Sequence, residues 1–145
     1  MHELARQVRF SISPFLPEQE KGFNSFASEP AGEGLSLFFE LTVEVTGEVE
    51  PATGFVVNVT DIDRDIRQFV VPLFVERVTQ DFRRSRHVGF SAIADLLEAA
   101  RSRLAGKLGA ARLRRLSLKL NPFRTVAVDT KDLDMAYFCE KFEFA

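Results

Sequence analysis

The chain has 145 residues, a formal net charge of −2 and a pI near 5.7. That length makes one domain, residues 1–145, large enough to bury a core without staples, and 46% hydrophobic with 28% charged residues excludes a disordered or fibrous chain. The charge balance offers no global positive field for nucleic acid or an anionic membrane, and a single cysteine, Cys139, excludes an intrachain disulfide framework or a cysteine-based zinc cluster.

Residues 4–13 read as a first strand, with Val8, Phe10 and Ile12 on one face and Arg9, Ser11 and Ser13 on the other. Pro14 and Pro17 end it. Residues 18–34 read as a loop rich in Glu, Gly, Ser and Asn, yet Phe15, Phe23 and Phe26 beside and within it call for something to pack on. Residues 35–46 alternate Leu35, Leu37, Phe39, Leu41, Val43 and Val45 with mostly polar residues, which predicts a long strand with one buried face. On this pattern Leu35, Leu37 and Phe39 all belong to the core. A turn at residues 47–54 then predicts a hairpin partner over residues 55–59.

Thr60, Asp61, Ile62 and Asp63 fit a capping box. Ile62, Ile66, Phe69, Val70 and Leu73 follow at helical spacing, with Pro72 predicting a break near residue 71. Ser91 is placed to cap a second helix with Ile93, Leu96, Leu97, Ala100 and Leu104 inward. Arg101, Arg103 and Lys107 suit its C-terminal dipole, and Gly106 and Gly109 stop it. Residues 113–120, 125–128 and 135–144 read as further strand, with a turn at Asn121-Pro122. Strands at both ends with helices between predict an α+β fold: a four-stranded antiparallel sheet with two helices on one face.

Four stretches carry a resemblance to a known family. Residues 8–13, the strand from Leu35 to Gly47, the segment Gly54-Phe55-Val56-Val57-Asn58-Val59-Thr60-Asp61-Ile62, and the helix from Ser91 onward together resemble the 6-pyruvoyl and 6-carboxytetrahydropterin synthases. The resemblance implies the tunnelling fold, built of two strands, two helices and two strands and assembled into an oligomeric barrel. It implies a homo-oligomer, expected as a hexamer, and long apolar strands with unpaired edges point the same way.

The resemblance fails at the functional residues. The family holds zinc with three histidines, one ending the first strand and two in a His-Gly-His motif. Here those positions are Pro14, Leu35 and Leu37, none of which can ligate a metal. The family cysteine has no counterpart in residues 14–34, and the aspartate leading into the first helix is Asn58. Zinc polarises the pterin side chain in that chemistry, so the expectation here is no zinc cofactor and no catalytic residue. The chain then reads as a non-catalytic structural or pterin- or purine-binding subunit. The alternative is a lyase whose metal site is built from His2 or His87 and acidic residues of neighbouring subunits.

The best ligand candidates are Asn121 and Arg124, since an amide can pair with a pterin or purine edge. Asn121 equally suits a turn before proline. His87 with Arg83, Arg84 and Arg86 could hold an anion, or form a solvated loop. Arg112, Arg114 and Arg115 suggest an edge strand guarded by charge. Glu18, Glu20, Asp61, Asp63 and Asp65 could suggest a metal site, although helix-start acids serve caps and the dipole without one. Cys139 reads as a small buried hydrophobe. The C-terminal Glu140-Lys141-Phe142-Glu143-Phe144 echoes residues 8–12. It reads either as a last strand or as the sign of a tandem arrangement, with an active paralogue or second domain as partner. No apolar run suits a membrane span and the start shows no signal-peptide h-region, so a cytoplasmic location is expected, with no nucleic acid and no membrane partner.

Overall fold

A computed structural model describes residues 1–15, 35–132 and 135–143. It is α+β, with five strands rather than four. They are β1 (His2–Ile12), β2 (Leu37–Gly47), β3 (Arg112–Asn121), β4 (Arg124–Asp129) and β5 (Ala136–Glu140). Every neighbouring pair is antiparallel and the spatial order is β1-β2-β3-β4-β5. The fifth strand is the late segment at residues 136–140, which pairs with β4 from Arg124↔Glu140 to Val128↔Ala136. Three helical stretches join β2 to β3: α1 (Val59–Asp65), α2 (Val71–Arg83) and α3 (Phe90–Leu104). A π-helical turn, Ile66–Val70, runs straight from α1 into α2. It lies just before Pro72, where the missing N–H and ring clash forbid regular helix.

Residues 55–59 do not form the expected hairpin strand. Both sides of β2 are taken, by β1 and β3, so no ladder is left to join. Instead Gly54, at φ 73°, closes a turn in which its N–H donates to the Glu50 carbonyl at 2.8 Å. Val56 then folds onto Gly47, where a Cβ would sit 2.9 Å from the Val56 methyl. The helix is capped by Asn58, whose side-chain oxygen accepts from the Thr60 N–H, rather than by the Thr60 box. Likewise α3 starts at Phe90 with Gly89 as its cap residue, two residues earlier than the Ser91 cap.

The helices cover one face of the sheet. Val8 and Phe10 of β1, Leu41, Val43 and Val45 of β2, Leu116 and Leu118 of β3 and Val126 and Val128 of β4 meet Ile62, Ile66, Val70, Phe74, Leu97, Ala100 and Leu104. Phe10 stacks on Phe39 at 5.4 Å and meets Phe74 edge-on at 5.5 Å. The core face of β2 starts at Phe39. Leu37 is partly exposed and Leu35, ahead of the strand, is 89% exposed, so the core reading of these two leucines is overturned within the single chain. The strand outruns the helix layer there.

Two further expectations fail. The strand carrying Arg112, Arg114 and Arg115 is not an edge but the middle strand of the five. Arg114 is the extra residue of a bulge opposite β2 and pairs with Glu3, and Arg115 lies over the Tyr137 ring at 5.3 Å. Cys139 is exposed, because β5 is an edge strand and Cys139 faces away from the helices. Among the described residues, no helix is long and apolar enough to cross a membrane.

Candidate functional site

The strand registers decide which residues share an end of the sheet. Ile12 meets Leu37 at the same end where Asn121 meets Arg124 and Arg124 meets Glu140. His2 meets Gly47 at the other end, about 33 Å away for an eleven-residue strand. The first end therefore gathers Pro14, Leu35, Leu37, Asn121 and Arg124.

Pro14 is buried just beyond β1, and Leu35 and Leu37 begin the β2 side. These side chains offer a zinc ion no nitrogen, sulfur or carboxylate, so the residues present do not fit the metal that the sequence resemblance implies. Among the described residues there is no cluster of three or more His, Cys, Asp and Glu able to hold a metal. His2 opens β1, while His87 follows α2, whose Phe82 packs edge-on against Phe15 beyond the opposite end of that strand. The two histidines of one chain therefore do not meet. Glu18 and Glu20, with Phe23 and Phe26, lie outside the described residues.

Asn121 and Arg124 flank the two-residue turn between β3 and β4. The Asn121 side-chain oxygen accepts from the Phe123 N–H at 2.9 Å, which locks the turn and uses that acceptor. The Arg124 Nε donates to Glu140 Oε1 at 2.6 Å across the β4–β5 ladder. Asn121, Phe123, Arg124, Glu140, Phe142 and Glu143 line an open hollow of about 400 Å³. With Lys141 also lining it, it presents an amide, a guanidinium, an ammonium, two carboxylates and two exposed phenylalanine rings. Glu140 was not legible as a site residue, since its closeness to Arg124 comes from strand pairing across sixteen positions. A second hollow, about 540 Å³, lies at the far end between α3 and β3, and it gathers none of these residues.

The acids at the helix start do more than cap. Asp63 is 1% exposed, takes Arg67 Nε on Oδ2 at 2.7 Å and lies 3.4 Å from Arg6 Nη2. Arg67 also donates to the Arg9 carbonyl at 3.2 Å. This group ties α1 to β1. It is an internal clamp, holding helix start to first strand.

No protein-family model matches the chain, and no curated protein matches it. Among solved structures it is similar to 6-pyruvoyl tetrahydropterin synthase of Caenorhabditis elegans. That likeness covers 88% of this chain and 93% of the other, at 14% identity and a TM-score of 0.47.

Proposed function

We propose that this chain is a single tunnelling-fold domain of 6-pyruvoyl tetrahydropterin synthase type without the zinc site. In this reading it is a non-catalytic, cytoplasmic subunit, structural or pterin- or purine-binding, within a homo-oligomer expected as a hexamer. An active paralogue or second domain is its further expected partner. What supports the reading most is the identity of three residues. Pro14, Leu35 and Leu37 stand where the resembling family has its zinc histidines, so a Lewis acid has nothing there to bind. The two edge strands, β1 and β5, each with one neighbour among the described residues, support assembly through further pairing.

The ligand-binding version uses Asn121 and Arg124 at the open hollow, with Phe123 and Phe142 offering ring faces to a flat heterocycle. The experiment is a melting curve with dihydropterins and purines at millimolar concentration. A ligand held at about one hundred times its Kd adds about 2.7 kcal/mol of stability. The expected result is a rise in Tm for one of these heterocycles that Arg124→Ala abolishes. An unchanged Tm with all of them removes the ligand-binding version. Release of triphosphate from dihydroneopterin triphosphate in the presence of zinc would overturn the non-catalytic reading itself.

A further inference from the structure

The hollow of about 540 Å³ between the end of α3, the loop at residues 105–111 and the start of β3 differs from the others in charge. Hollows on α2, between α2 and α3, and beside Arg124 each include a glutamate in their lining. This one has Arg101 and Arg112 and no acid among the described residues. The imbalance begins in the sequence, which has no acid between Glu98 and Asp129.

Most cations around the hollow have a duty elsewhere. Arg101 pairs with Glu98, Arg114 pairs with Glu3, and Lys107 lies over the Phe69 ring. Arg101 and Arg103 also stand in the last turn of α3, where they offset the carbonyl end of its dipole. Arg112 is different. It is the exposed first residue of β3 and enters no ion pair and no side-chain hydrogen bond among the described residues.

The loop adds donors. The Ala111 N–H donates to the Leu108 carbonyl at 3.1 Å and closes a turn around Gly109 and Ala110. Gly109 sits there at φ 59°, which glycine adopts without strain. The N–H groups of Leu108, Gly109 and Ala110 donate to no acceptor among the described residues, and all three residues line the hollow. A Cβ built on Gly109 would meet no atom within 4 Å, so a ligand can come close to the backbone. A guanidinium and successive unpaired N–H groups have one ligand in common, an oxyanion. Leu104, Leu108 and Leu113 supply an apolar wall, and the volume lies in the range of small-molecule sites.

We propose that this hollow binds a phosphate group, free or as the monoester of a small molecule, with Arg112 and the N–H groups of residues 108–110 as its donors. The site goes beyond the proposed function, since it lies at the end of the sheet away from Asn121 and Arg124.

The test is calorimetric titration of the full chain with inorganic phosphate and with phenyl phosphate, joined to amide NMR. Saturable binding of one anion per chain is expected. Tighter binding of phenyl phosphate assigns the ester, which uses the leucine wall, and equal or weaker binding assigns free phosphate. Arg112→Ala is expected to weaken the affinity about tenfold or more, the loss of one charge-assisted contact. Arg86→Ala, on the turn after α2, is expected to bind as the wild type does. Both positions are exposed, and circular dichroism checks that the variants fold. In the wild type, the amide protons of Gly109 and Ala110 are expected to move downfield as phosphate accepts them. No binding of either probe at about 10 mM would overturn the proposal. An unchanged affinity in Arg112→Ala, or an equal loss in Arg86→Ala, would do the same. So would Gly109 and Ala110 resonances that stay in place at saturation, or binding of single-stranded DNA without binding of either probe. Zinc content and heterocycle binding are read separately, so failure here leaves those questions intact.

Discussion

Tyr137 donates its hydroxyl hydrogen to Asp132 Oδ2 at 2.5 Å on the open face of the sheet. That bond holds the phenol in its neutral form and raises its pKa above the ordinary 10.0. Slight desolvation and the charges of Asp132 and Asp129 add to the rise, and Arg115 opposes it. A group whose pKa is raised by folding contributes stability that is complete below the unfolded pKa, here about 10, and is lost as pH rises through the folded value. Spectrophotometric titration should place phenolate formation above that of free tyrosine. Asp132→Asn should move it back down, because the neutral amide removes the negative charge. An unchanged midpoint in Asp132→Asn would assign the rise to other neighbours. At the same scale, Cys139 shows why a residue can mislead. Next to Phe138 in a strand it reads as core, but strand alternation turns it to the face away from the helices.

Among elements, α1 depends on a charge more than on its length. Seven residues make a marginal helix, and Asp63 anchors it to β1 through Arg6 and to the π turn through Arg67. Arg67 is only 12% exposed, so removing its partner leaves buried positive charge. Asp63→Ala should destabilise the chain by about 3–5 kcal/mol in urea unfolding. A loss below 1 kcal/mol would mean that the clamp is loose in solution. The apolar rhythm from Phe39 to Val45, the helical spacing after Ile62 and the break at Pro72 were legible, because each is a local pattern, but the same rhythm wrongly put Leu35 and Leu37 in the core. The Asp63 clamp was not legible, since Arg6 lies fifty-seven positions away and local sequence treats Asp63 as another helix-start acid. Residues 55–59 carried a fair strand pattern and still lost to topology, since β3 already held that side of β2.

For the whole molecule, an antiparallel sheet with helices on one face was readable from the grouping of strands and helices, but not the strand count. β5 is short and exposed and gains its place only by pairing with β4. The candidate site was half legible. Asn121 and Arg124 do share an end, and Glu140 joins them through a ladder contact that no spacing rule announces. What is proposed at this scale is chemical: where the resembling family has its zinc histidines, this chain has proline and leucine. The measurement that tests it most directly is zinc per chain, by elemental mass spectrometry, in protein purified without chelators. The account predicts a value near zero that stays there after incubation with zinc and buffer exchange. A value near one, retained through exchange, would contradict it and would place ligands on residues of neighbouring copies.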